Sequence, residues 1–303
     1  MTRIGAEGRP APRPWRMIGI TFAGGSCYLT ISVALRDAPP LWAATLRVLI
    51  AAVVLVAIAG VRHAPRPRGR RTWLLVVVMG VLNVAVAYWA MFAGLSGMST
   101  GAATVLANAQ PLLILLPAWW LFGEKPRTLT VAAMLLGAVG LVLVALPSGF
   151  GSGAALALVA AIATTAGTLL ARIIDVPPLT LAAWQFLIGG AVLAVAAFLV
   201  EGPPLIHWNT GLVLALLYMA VIGTALSTVA WISETKRARL DQLTTWTLLV
   251  PVFGIVLSVF VLGETQTLLG WVGVAVVLTA LVVNVVAIRR QRPVTPAATS
   301  ARL

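Results

Sequence analysis

Polar and apolar positions divide this chain into long apolar runs separated by short polar stretches. Ten such runs occur, near 17–35, 41–60, 73–93, 101–122, 128–146, 153–171, 179–200, 211–232, 243–262 and 268–288. Each holds about the 20 residues that a helix needs to cross a hydrocarbon layer of roughly 30 Å. Backbone groups in lipid must bond within their own segment, and the alternation of a barrel strand is absent. The pattern therefore predicts an all-α membrane protein of ten transmembrane helices. The first run follows basic residues, as a secretory leader would, but it exceeds the about 7–15 residues of a leader core. It is read as an uncleaved first helix. Residues 1–14 and 289–303 are rich in Arg, Pro, Ser and Thr and read as short tails.

The runs carry an internal echo. Pro111 is followed 12 and 13 residues later by Gly123 and Glu124, and Pro251 at the same spacing by Gly263 and Glu264. Each proline sits inside an apolar run, where a helix normally avoids it. A second echo pairs Pro39-Pro40-Leu41 with Pro177-Pro178-Leu179. The chain reads as one half written twice, at 15–147 and 148–288, with a turn-rich join at Pro147–Gly153. Five helices per half is an odd number, so the two halves enter the membrane from opposite sides. An inverted repeat with broken helices at matching places points to a substrate site between the halves.

Charge changes the picture by its placement. The chain is 60% hydrophobic and 10% charged, with a mean hydropathy of +1.02, so lipid must cover most of it. Its net charge of +13 would suit a nucleic-acid or basic surface role if it were spread on a soluble face. Instead, 19 of the 21 basic residues fall before the first run, in alternate loops, or after the last run. The positive-inside rule then puts both termini in the cytoplasm. No nucleic-acid partner is expected. Trp15, Trp42, Trp73, Trp208 and Trp271 lie at run ends, where indole rings anchor at the interface.

Few side chains within the runs can do chemistry. Arg47 lies seven residues past Pro40, roughly 10 Å deep at 1.5 Å per residue. An intramembrane charge faces a cavity or a partner, or reaches back to the headgroups. Arg47 is thus a candidate either to hold a substrate carboxylate or to brace helices, and its counterpart in the second half is Gln185. Asn83, Tyr88, Asn108, Gln110, Ser227 and Thr245 add amides and hydroxyls near the two proline breaks. Pro111 and Pro251 each free a carbonyl one turn earlier, near Ala107 and Thr247. Trp89 and Trp184 sit away from the interface and are candidates to line the pocket for flat or apolar substrates. Each of these residues also has an ordinary reading as helix packing. Glu124 and Glu264 oppose the dipole of the helix they end, and fit better near the start of the next, by Thr128 or Thr267. They are read as structural.

Several classes lack their residues. No Asp or Glu falls inside a run, so no proton relay is evident. The P-loop spacing is missing, His63 and His207 are far apart, and no metal cluster or catalytic triad occurs. Cys27 is alone and reads as a small packing residue. No cofactor, metal or enzymatic activity is expected. A membrane-embedded enzyme would need a polar cluster near one interface, and a non-transporting scaffold would need no pocket.

With Pro40 and Arg47 in the second run and the paired Pro-to-Gly-Glu patterns in the fourth and ninth, the chain resembles the drug/metabolite transporter superfamily, in its ten-helix EamA-like branch. The resemblance implies a multi-pass carrier of the bacterial inner membrane for a small metabolite or drug-like solute, such as an amino acid or amphipathic compound. Export by alternating access is the implied mode. Related four-helix exporters use a first-helix Glu for proton exchange. The run from Met17 to Leu35 has none, which favours facilitated export or exchange. The expected partners are the substrate and membrane lipid. The oligomeric state is open, and a monomer is compatible with a self-contained bundle.

Overall fold

The computed structural model describes residues 10–96, 110–125, 128–146, 153–262 and 267–289. Among them there is no strand. Seven helices are long and apolar enough to span a membrane: α1 Pro14–Ala34, α2 Pro40–Val61, α3 Arg70–Leu95, α6 Ala154–Ile173, α7 Pro178–Glu201, α8 Thr210–Arg237 and α9 Leu240–Val261. Three further apolar helices complete the described set: α4 Gln110–Phe122, α5 Thr128–Ala145 and α10 Leu268–Arg289. Asn108, Gly263, Glu264 and the outer parts of both tails lie outside the described residues.

Local sequence sets many of the ends. Pro14, Pro40 and Pro178 occupy the first turn of α1, α2 and α7, where a missing N–H costs nothing. Asn209 opens α8, its Oδ1 accepting the N–H of Leu212 at 2.8 Å. Gly123 ends α4 in the left-handed region at φ 66°, with its N–H on the Trp119 carbonyl and that of Glu124 reaching Ala118. This is the helix stop that glycine allows at least strain.

The eighth apolar run predicts an end near residue 232, but α8 continues to Arg237. Its last turn, Ser233–Arg237, is polar, and hydropathy alone ends the helix too early. Buried partners hold the extra turn in place. Glu234, which is fully buried, pairs with Arg16 and Arg237, and Lys236 donates to the carbonyl of Ile174.

Helix contacts repeat between the two parts of the chain. Helix α2 packs on α7 and α5 on α10. Helix α1 packs on α9, while α6 packs on α4; α3 packs on α6, while α8 packs on α1. Replacing each of α1–α5 by the helix five places later reproduces the same pairings. The largest apolar core joins α1, α2, α3, α6, α7 and α8. A smaller one holds α5 and α10 against α9.

Small residues set the closest approaches. A Cβ on Gly25 would lie 2.6 Å from the Val250 carbonyl oxygen and 2.9 Å from the Gly254 nitrogen, so α1 and α9 meet backbone to backbone. The spacing of Ala133, Gly137 and Gly140 predicts a packing face on α5. Gly137 faces Leu248, and Gly140 faces Gly273 and Val277.

Candidate functional site

Two helices depart from regular α geometry at matching places. Hydrogen bonding widens to the π pattern over Gly80–Val86 in α3 and over Val221–Leu226 in α8. Neither segment contains proline. In α9 a 3₁₀ turn at Trp246–Leu248 precedes Pro251, and in α4 the helix is interrupted at Ile114, just after Pro111. The breaks cluster at mid-helix, around one cavity.

That cavity has a volume of about 250 Å³. Thr21, Cys27 and Tyr28 of α1, Arg47 of α2, and Asn83 and Tyr88 of α3 line it. Gln110 comes from α4, Thr164 and Thr168 from α6, Phe186 from α7, Ser227, Thr228 and Trp231 from α8, and Thr247 from α9. Apart from Gln110, which opens the described part of α4, all lie well inside their helices.

Arg47 is 4% exposed. Its Nε donates to Thr224 Oγ1 at 2.8 Å, its Nη2 reaches Cys27 Sγ at 3.5 Å, and its guanidinium sits 5.0 Å from the centre of the Tyr88 ring. The third nitrogen, Nη1, is buried without a hydrogen-bond partner. Across the site, Asn83 Nδ2 donates to Gln185 Oε1 at 3.1 Å. These two bonds are counterparts. Gln185 stands 138 residues after Arg47, and Thr224 stands 141 after Asn83. Each bond joins the second helix of one half to the π segment of the other.

Gln110 supplies a third polar point. Its Nε2 donates to Thr168 Oγ1 at 2.7 Å, and the indole N–H of Trp231 donates to the same oxygen at 3.3 Å. One α6 hydroxyl thus ties α4 and α8 together. Next to Thr168, Gly167 leaves room for Asn83, since a Cβ there would lie 2.3 Å from the Asn83 side chain.

Arg47, Asn83, Tyr88, Gln110 and Ser227 are therefore brought together on the cavity. Trp89 lies 39% exposed on the outer face of α3. Trp184 packs edge-on against Trp73, ring centres 4.8 Å apart. Gln185 is fully buried behind Asn83, with its own Nε2 unpaired. Thr245 turns its hydroxyl to the Asp241 carbonyl at 2.8 Å. None of these four lines the cavity. Asn108 lies outside the described residues. Pro111 and Pro251 are both buried.

The walls from α1 and α6 are not evident from polarity alone. One signal was present: Thr164 and Thr168 are four residues apart, hence on one helix face. Symmetry gives another, because α1 and α6 are mates. Among the described residues no group of His, Cys, Asp or Glu could hold a metal.

A cluster of ions lies at the end of the bundle where α8 turns into α9. Glu124 accepts from Arg172 on one oxygen and from the Leu240 N–H at 2.8 Å on the other. Its carboxylate thus caps α9 rather than the following helix α5. The left-handed turn at Gly123 carries it there. Arg239 grips Asp241 with two bonds, at 3.1 and 2.9 Å, and also holds the Lys125 carbonyl. Arg172 binds the carbonyls of Thr235 and Ala238. At the other end, Glu201 accepts the N–H groups of Leu41 and Trp42 and caps α2.

The EamA-like transporter family matches the chain twice, over residues 15–146 and 151–286. A WAT1-related chloroplastic protein of Arabidopsis thaliana is 28% identical over 88% of this chain and 67% of its own length. A "Probable amino-acid metabolite efflux pump" of Salmonella typhimurium is 28% identical over 88% of this chain and 93% of its own. One crystal structure, at 22% identity, has the same fold, with a TM-score of 0.75 over 92% of this chain and 99% of that one. Family membership implies a small-molecule substrate and membrane embedding. The chain belongs to the EamA-like transporter family, within the drug/metabolite transporters.

Proposed function

We propose that this protein is a secondary transporter that exports a small metabolite or drug-like solute by alternating access. The observation that carries the reading is the cavity itself. It is walled by mates from both family-matched segments, α1 with α6 and α3 with α8, and flanked by the counterpart bonds Arg47–Thr224 and Asn83–Gln185. A site on a pseudo-symmetry axis presents similar surroundings to either side, as alternating access requires.

The chain then forms two inverted five-helix repeats, 15–147 and 148–288, with ten spans. Contacts at the helix ends support this order. The start of α1, the ends of α4, α6 and α8, and the start of α9 meet in one ion cluster. The start of α2 meets the end of α7 at Glu201, and the Asp37 carbonyl accepts from the His207 N–H. Charge placement puts the ion-cluster end and both termini in the cytoplasm of a bacterial cell, with the helices in its inner membrane. The amino-acid efflux pump among the relatives supports an amino acid or a similar amphipathic compound as cargo.

The test is a metabolite-wide comparison of growth medium from cells with and without overexpression. Accumulation of a small solute outside is the expected result, and a Gln110→Leu variant should reduce it. An unchanged profile, with the protein present in the membrane, would overturn the reading.

A further inference from the structure

The described wall of the cavity carries one formal charge and no acidic side chain to balance it. Arg47 is the sole Arg, Lys, Asp or Glu among its described lining residues. Ion pairs among the described residues involve Glu124, Glu234 and Asp241, all at the α8–α9 turn, and none involves Arg47. A guanidinium stays protonated inside proteins, so it cannot relieve the imbalance by losing a proton. The face of Tyr88 compensates only in part. One nitrogen, Nη1, is buried with no acceptor.

We propose that the cargo is a small organic anion held by its carboxylate at Arg47, rather than a zwitterionic amino acid; this rests on the transporter reading above and replaces its amino-acid cargo. A carboxylate oxygen supplies the acceptor that Nη1 lacks and the countercharge that the cavity lacks. Charge-assisted bonds to guanidinium are the strong ones. The body of the anion meets Ile20, Met79, Met91, Phe186 and Trp231. A volume of about 250 Å³ suits a small molecule. An amine finds no countercharge and one fixed positive charge, because no acidic side chain lines the described wall. The second half carries neutral Gln185 where the first carries Arg47, so the site is charged on one side of its symmetry axis. That asymmetry orients the carboxylate toward α2.

The test uses the full chain purified in detergent. Thermal stabilisation is measured with hexanoate and 3-phenylpropanoate, with 3-phenylpropanamide and 3-phenylpropylamine, and with phenylalanine. The carboxylates should raise the unfolding temperature in a dose-dependent way, and the amide and amine at equal concentration should not. Arg47→Gln should weaken carboxylate binding at least tenfold, and Arg47→Lys, which keeps the charge but not the fork, should fall between. An equal shift from amide or amine, a larger shift from phenylalanine than from 3-phenylpropanoate, an unchanged Arg47→Gln response, or no shift from any carboxylate would overturn the proposal. The wild-type comparisons need no variant to fold. Counterflow of the same compounds in proteoliposomes separates the two readings. Carboxylate binding without counterflow refutes transport and leaves the ligand class standing; counterflow of the amine alone does the reverse.

Discussion

The Nε–H of Arg47 donates to the hydroxyl of Thr224 at 2.8 Å, tying α2 to the π segment of α8. Thr224→Val keeps the shape and removes the acceptor. A lost bond to a buried charged group costs about 1.5–3 kcal/mol. The variant should therefore unfold at a lower temperature in detergent, and Thr224→Ser should not. Equal melting of the Val variant and wild type would show that the bond contributes nothing.

Gly223 stands beside this pair. A Cβ there would lie 2.1 Å from Cys27 Sγ and 3.8 Å from Arg47 Nη2. Gly223→Ala should push the thiol toward Arg47 and lower export. Cys27→Ala removes the sulfur, so the double variant should regain most of the lost flux. Export from cells at matched expression measures both, and failure of the second change to help would place the defect elsewhere.

Glu124 and Arg172 are a buried ion pair, with side chains 1% and 4% exposed. Removing one partner of such a pair costs about 3–5 kcal/mol, whereas replacing both by apolar groups is often neutral. Glu124→Gln should therefore destabilise strongly. Glu124→Gln with Arg172→Met should recover part of the loss, leaving the capping bond to Leu240 weakened and the Thr235 and Ala238 carbonyls without Arg172. A double-mutant cycle on thermal unfolding tests the coupling; additive losses would contradict it.

Trp89 and Gln110 separate packing from site. Trp89 faces outward, and Gln110 lines the cavity on Thr168. Trp89→Phe should leave export within about twofold. Gln110→Leu deletes one hydrogen bond of about 1 kcal/mol or more and a polar wall, so export should fall by about tenfold. Reversal of that order in a flux assay would move the site.

Hydropathy and charge made the helical segments legible, because lipid imposes a length and an apolar surface on every span. Facing was not legible. Helix α3 is apolar nearly all round, so nothing in its sequence says that Trp89 points outward and Tyr88 inward. The end of α8 was hidden for a different reason. Glu234, Lys236 and Arg237 look like a loop until Arg16, Ile174 and Ala11 are known as their partners, and those three are distant in sequence. Gly123 and Glu124 divide in the same way: the glycine's local role as a helix stop could be read, but the carboxylate's contact with Leu240, 116 residues on, could not. The echo of Arg47 in Gln185 was visible. That each would bond to the π segment of the opposite half was not, since those segments carry no proline to mark them.

Glu124, Arg172, Glu234, Arg237, Arg239 and Asp241 set a layer of charge at one end of the bundle, beside the apolar Met17, Leu240 and Leu243. An apolar plug loses free energy with each square ångström that water touches. Charged side chains respond in the opposite sense, because each regains its hydration shell as water arrives, and that gain offsets the attraction given up. In a carrier that works as proposed, such an end is firm while dry and parts easily once flooded.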